Sequence, residues 1–209
     1  MLGDGSDEHP FIVSMTSIAL LSVIPIAMNS TLPSVLHMDC TYKVNDNEFP
    51  VLVIGLTDAQ QVFHLLSITV LSHKTAKFYT RALTALQAVV AQYHPTVNFA
   101  PDYCMTDAEK AERDALLDCF PTTYHLMCYF HVVKVCKEKL AGNAMTEQKH
   151  ILRQIEELHS SIDQSEFDRL YTEFFLQWLH HDNPKFKAFA LYFEDQWISG
   201  TVFTEWKVS

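Results

Sequence analysis

The five cysteines, Cys40, Cys104, Cys119, Cys128 and Cys136, are odd in number, scattered, and form no CxxC pair. This excludes a disulfide scaffold and points to a reducing compartment, the nucleus or cytoplasm. Basic residues are also scarce: 15 Lys and Arg stand against 25 Asp and Glu, giving a formal net charge of -10. The chain as a whole is therefore not a nucleic-acid-binding surface, and any DNA contact is local or made by another segment. No internal repeat or low-complexity tract appears, and 48% apolar composition over 209 residues is enough for one good core with an appended subdomain.

Charge is missing altogether from Phe11 to Leu36, long enough to raise a membrane span. Pro25 and Pro33 interrupt the run, hydroxyl and amide side chains dilute it, and the preceding "MLGDGSDEH" is acidic where a signal peptide wants lysine or arginine. A buried helix or strand leading into the domain is expected, with no membrane.

What is present is a change of period. "LHMDCTYKV" (36–44) alternates apolar and polar residues as a strand with one greasy face, Leu36, Met38, Cys40, Tyr42 and Val44, and carries Asp39 in the middle of the other. Aspartate packs poorly in strands, so something must hold it there. "NDNE" reads as a turn, "FPVLVIGLTDA" as a central strand apolar on both faces, and "QVFHLLSITVLSH" as a third strand, together an antiparallel meander. Asp58 in "GLTDA" falls at a turn and is left out of the site.

From Ser72 the spacing becomes helical, with Tyr79, Leu83, Leu86, Val90 and Tyr93 on one face up to His94-Pro95. "TVNFAPDYCM" predicts a fourth strand ending at Thr106-Asp107, "AEKAERDALLDCF" a helix, "TYHLMCYF" a fifth strand and "HVVKVCKEKL" a helix. Beyond Gly142-Asn143 three helical patterns follow, opening near Thr146, Ser165 and Asn183-Pro184. Their aromatic positions, including Trp178, Trp197 and Trp206, recur at helical spacing and read as core rather than as a platform for stacking bases. Lys134, Lys137 and Lys139 read as a solvated helix end.

The order of elements is that of an α/β, ribonuclease H-like mixed sheet: three antiparallel strands, then parallel strands with helices, followed by an all-α inserted segment. The expected parts are a lead-in at 1–34, a core at 35–141 and a helical insertion at 142–209. In that fold the first and fourth strands are neighbours, about 4.8 Å apart, so Asp39 and Asp107 can share metal ions. Each also has a local reading: Asp107 could cap the next helix, with Thr106-x-x-Glu109 spaced as a capping box, and Asp39 could point from an edge strand into water. Cys128 and His131 could contribute to a zinc site, but no second ligand pair is evident, and a packed thiol with a hydrogen-bonded imidazole is the preferred reading; zinc is not expected.

The segments "MDCTYKV", "PVLVIGLTDA", "MTDAEKAERDAL" and "FPTTYHLMCYFHVVK" resemble, in order and roughly in spacing, the transposase domain of Mutator-like elements (MULE). The resemblance implies a DDE-class nuclease and strand transferase for DNA transposition and recombination, in which two aspartates and a glutamate bind two Mg2+ or Mn2+ ions. It implies Asp39 and Asp107 as catalytic metal ligands, Cys128 and His131 as part of a recurring CxxH motif near the site, transposon-end DNA as partner, and a possible homo-oligomer. In the resembled enzymes the third carboxylate lies beyond the helical insertion, in an Asn-x-x-Glu-like stretch. No such stretch occurs here, and Glu194 and Glu205 sit in other contexts. The sequence therefore reads as a fragment cut short before its third ligand, inactive as it stands; the alternative is a non-catalytic relic or domesticated binding module with the same fold.

Overall fold

The computed structural model describes residues 3–199 and 206. They divide into two compact units, one up to Leu126 and one from Met127 onward.

The first unit is built on a six-stranded mixed sheet. Its elements are β1 (Ile12–Met15), α1 (Ile18–Leu21), α2 (Val23–Met28), β2 (Val35–Thr41), β3 (Val51–Thr57), β4 (Phe63–Leu71), α3 (Ala76–Tyr93), β5 (Tyr103–Thr106), α4 (Lys110–Cys119) and β6 (Tyr124–Met127), with β6 reaching the boundary. The strand order is β1-β4-β3-β2-β5-β6. Strands β2, β3 and β4 pair antiparallel as a meander, and β5 joins β2 in parallel. This is the ribonuclease H-like arrangement expected from the sequence.

The charge-free run does not form one helix. It breaks into an edge strand, β1, antiparallel to β4, and two short helices, the first capped by the Ser17 side chain, which accepts from Leu20 N–H. Among the described residues no helix is long and apolar enough to cross a membrane.

The alternation in β2 is as expected at Leu36, Met38 and Cys40, all buried, while Asp39 on the other face is exposed. The strand ends earlier than the pattern suggests. Lys43 takes a left-handed backbone, φ 59°, which an extended strand cannot continue through, and Tyr42 and Val44 on either side of it are exposed. The whole of β3 is well covered, as its double-faced apolar run requires. At Gly55 the register with β4 shifts, and a Cβ there would lie 2.1 Å from the Phe63 ring, so only glycine admits that ring.

Helix α3 buries Tyr79, Leu83, Leu86 and Val90 and stops at His94, before Pro95. Tyr93, expected on the same face, is exposed. Strand β5 is shorter than the segment proposed for it. It begins only after Pro101, which has no N–H to offer a ladder, and Phe99 upstream packs edge-on against Phe120 at 5.6 Å.

The second unit is helical: α5 (Tyr129–Lys139), α6 (Met145–His159), α7 (Gln164–Leu179) and α8 (Pro184–Phe193), continued by a π-helical segment, Glu194–Ile198. Gly142, φ 82°, takes the chain from α5 to α6 in a conformation other residues resist. Asp163 caps α7 through Glu166 N–H, and Asn183 caps α8 through Lys185 N–H with Pro184 in the first turn. The aromatic stripe is core: Trp178, Trp197 and Trp206 are each nearly inaccessible, and Trp178 meets Phe189 and Phe193 edge-on at 5.5 and 5.3 Å.

Candidate active site

The parallel pairing of β2 and β5 sets Leu36 against Cys104 and His37 against Met105. Carried on by two residues, the same register brings Asp39 level with Asp107, just past the end of β5. Their carboxylate oxygens lie within 4.8 Å of each other. Two residues separated widely in sequence are thus neighbours because a crossover through α3 returns the chain parallel to β2.

Asp107 also has a local role, though not the capping box suggested by Thr106-x-x-Glu109. The Asp107 Oδ1 accepts from Glu109 N–H at 2.8 Å, an Asx-type turn, and the Thr106 hydroxyl donates to the Asp107 carbonyl at 3.1 Å. Helix α4 therefore starts at Lys110 with Glu109 as its N-cap residue, and Asp107 keeps its other oxygen for a further partner.

That turn assembles a second group of acids that sequence reasoning missed. Asp107, Glu109 and Glu112 present carboxylate oxygens within 4.8 Å of one another. Glu109 is compensated: it is ion-paired with Lys74, and the Tyr79 hydroxyl donates to it at 3.4 Å. Lys74 also sits 5.1 Å from the centre of the Tyr42 ring. Burial alone would pull the Lys74 ammonium down, but its bonds to Glu109 and Tyr42 outweigh that and hold it above the ordinary lysine value. Burial, followed by the Cys40 thiol, likewise pushes the Tyr79 phenol up, and burial raises Cys40 to about 12, so neither ionises near neutral pH.

Glu112 is different. It is 0% exposed, and neither carboxylate oxygen has a hydrogen-bond partner among the described residues. Burial first, then the neighbouring charges of Asp107 and Glu109, raise its pKa to about 9, with Lys74 opposing. The only sequence signal for it was its position, on the helix immediately after Asp107 and one turn on from Glu109.

Asp58 is a turn residue: its side chain accepts from Gln60 N–H, Val62 N–H and the His64 ring. Cys128 and His131 belong to the helical unit, at the opening of α5, where the His131 N–H bonds the Cys128 carbonyl at 3.0 Å. Glu194 accepts from the Ser199 hydroxyl, and Glu205 lies outside the described residues.

The Asp107, Glu109 and Glu112 group is all oxygen, with one buried carboxylate unpartnered, and suits a hard divalent cation such as Mg2+ or Mn2+ better than a softer metal. Residues 35–135 match the MULE transposase domain. The matched segment holds both aspartates and the strands that bring them together, from β2 through β6 into α5. Two solved structures are similar to the chain at low identity. The catalytic domain of human endonuclease V is 13% identical over 46% of this chain and 40% of its own length, with TM-score 0.25. The catalytic domain of Mos1 transposase, solved with raltegravir and Mg, is 12% identical over 83% of this chain and 92% of its own, with TM-score 0.27. At these scores neither guides the assignment of residues within the transposase domain. No curated protein sequence matches the chain significantly.

Proposed function

We propose that the transposase domain is a cation-dependent DNA nuclease and strand-transfer unit of the DDE class, with Asp39 and Asp107 as its acidic metal ligands and transposon-end DNA as its substrate. The observation that carries this reading is the approach of those two carboxylates across the parallel β2–β5 pair, within 4.8 Å. Two like charges at that separation repel, and a shared cation offsets the repulsion.

Two divalent ions, Mg2+ or Mn2+, would supply charge stabilisation at the attacking and leaving oxygens of a phosphodiester displacement. The chain's own part is positioning. Strand β2 fixes Asp39 in the middle of a seven-residue ladder to β3, so its backbone has little freedom. The Glu109 N–H holds one oxygen of Asp107, which orients the other. Lys74 and Tyr79 occupy Glu109 and keep its charge from competing for the ions. Cys128 and His131, joined through the backbone at the start of α5, are read as a structural or near-site motif.

In this reading residues 1–34 lead in, 35–141 form the core and 142–209 a helical insertion, and the protein works on DNA in the nucleus or cytoplasm as a homo-oligomer. For a form that includes the Asn-x-x-Glu-like stretch of the resembled enzymes, nicking of supercoiled plasmid in Mg2+ or Mn2+, suppressed by EDTA and lost in both Asp39→Asn and Asp107→Asn, is the expected result. Nicking that persists unchanged in either variant removes that carboxylate from the mechanism.

A further inference from the structure

Glu112 is the one acid of the site that the chain itself leaves wholly unsatisfied. Its side chain is 0% exposed, and both oxygens lack a hydrogen-bond partner among the described residues. An ionised carboxylate in that position needs donors or a cation, and a protonated one still needs an acceptor for its O–H. Neither state is met by the surrounding side chains. An unpaired buried group of this kind is destabilising, more so when charged, so a partner outside the polypeptide is called for.

The neighbours say what kind. Glu112 lies with Asp107 and Glu109 in one group whose oxygens are all within 4.8 Å. Glu109 is already held by Lys74 and Tyr79, which leaves Asp107 and Glu112 facing each other, with no cation bonded to Glu112 among the described residues. Two carboxylates so placed are a bidentate invitation to a hard cation, and an anion or a neutral ligand would meet only like charge or acceptors.

We propose that Glu112 is a cation ligand acting with Asp107, so that the opening of α4 supplies a third carboxylate to the metal centre from within the matched domain. This rests on the cation-site reading of Asp39 and Asp107 and adds to it a residue on a different element. It gives the site three carboxylates, Asp39, Asp107 and Glu112, without an acid from beyond the helical segment. The buried position of Glu112 also sets a mode of use: it grips an ion from the protein side, while Asp39 is exposed.

The test uses the full chain and Mn2+ alone. Titration calorimetry and thermal melting are run on the wild type, Glu112→Leu and Glu112→Gln, in EDTA and in Mn2+, with circular dichroism as a check on folding. The expected result has three parts: Mn2+ raises the wild-type melting temperature; Glu112→Leu melts higher than wild type in EDTA; and both variants bind Mn2+ more weakly by about tenfold or more, at least what loss of a merely supporting residue costs. Wild-type Mn2+ affinity in Glu112→Gln or in Glu112→Leu overturns the proposal, as does a wild type that Mn2+ neither binds nor stabilises. The nicking assay separates this from the reading it rests on. Loss of Mn2+ binding at Glu112 in a protein that never nicks DNA leaves the ligand and removes the nuclease; nicking dependent on Asp39 and Asp107 but indifferent to Glu112 does the reverse.

Discussion

Two buried polar side chains, one in each unit, show how differently the halves of this chain use their interiors. In the helical unit Gln154 of α6 is almost inaccessible, yet both polar atoms are bonded: its Oε1 accepts from the Trp178 indole at 2.7 Å, and its Nε2 donates to Gln177 at 2.8 Å. Trp206 is satisfied in the same way, donating to the Trp197 carbonyl at 2.8 Å. In the sheet unit Glu112 of α4 is equally buried, and neither of its oxygens has a hydrogen-bond partner among the described residues. A satisfied polar network specifies a fold, whereas an orphaned carboxyl beside two other acids destabilises it until something binds. The helical unit is built for packing, and the sheet unit gives up stability around one site.

The comparison breaks most visibly at the aromatic core. Trp178→Ala removes a 2% exposed indole and both of its edge-on ring contacts, and is expected to cost about 3–5 kcal/mol in urea unfolding. The next effect is a difference of sign. Gln154→Leu strands the Trp178 N–H and is expected to destabilise by about 1–3 kcal/mol, whereas Glu112→Leu in EDTA is expected to stabilise, because it removes both an unpaired acid and its repulsion from Asp107. Equal destabilisation by the two leucines, read by denaturant midpoints at constant slope, would erase the distinction drawn here.

The smallest effect is a pH dependence common to both units. Burial lowers the pKa of His37 and, with help from Arg113, of His125 in the sheet unit; in the helical unit burial lowers that of His159, against a weaker opposite pull from the Trp206 carbonyl. A histidine held neutral by folding binds its proton more readily when unfolded. Its contribution is therefore intact above the unfolded value near 6.5 and is lost as pH falls below it. Melting temperature is expected to decline between about pH 6.5 and 5 in part through these rings, and His159→Gln, whose ring stacks on Tyr129 at 3.8 Å, should flatten that slope slightly while lowering stability at neutral pH. A slope identical to wild type in that variant removes His159 from the account.

Much of this was legible in the residues. The two-residue period of β2 and the double-faced run of β3 located the centre of the sheet, and the switch to helical spacing located α3. The parallel neighbour of β2 followed from the order of elements, and with it the meeting of Asp39 and Asp107. Features set by tertiary context were not legible. Edge strand β1 is four residues among serines and threonines, too short for a period to show. The end of β2 depends on one left-handed residue, Lys43, which no propensity predicts. Glu112 was hidden by its surroundings: in "AEKAERDALLDC" it is one charge among Glu109, Lys110, Arg113 and Asp114, and a solvated helix face looks the same in letters. Only the side of α4 turned to the core distinguishes it. Lys74, in the loop before α3, carried no signal either, because its importance lies in Glu109, thirty-five positions away.

Diffraction from crystals grown in Mn2+, recorded at the manganese absorption edge, tests the whole account most directly. Anomalous density about 2 Å from carboxylate oxygens of both Asp39 and Asp107 is the predicted outcome. Manganese absent from those oxygens, with both side chains ordered, would contradict it.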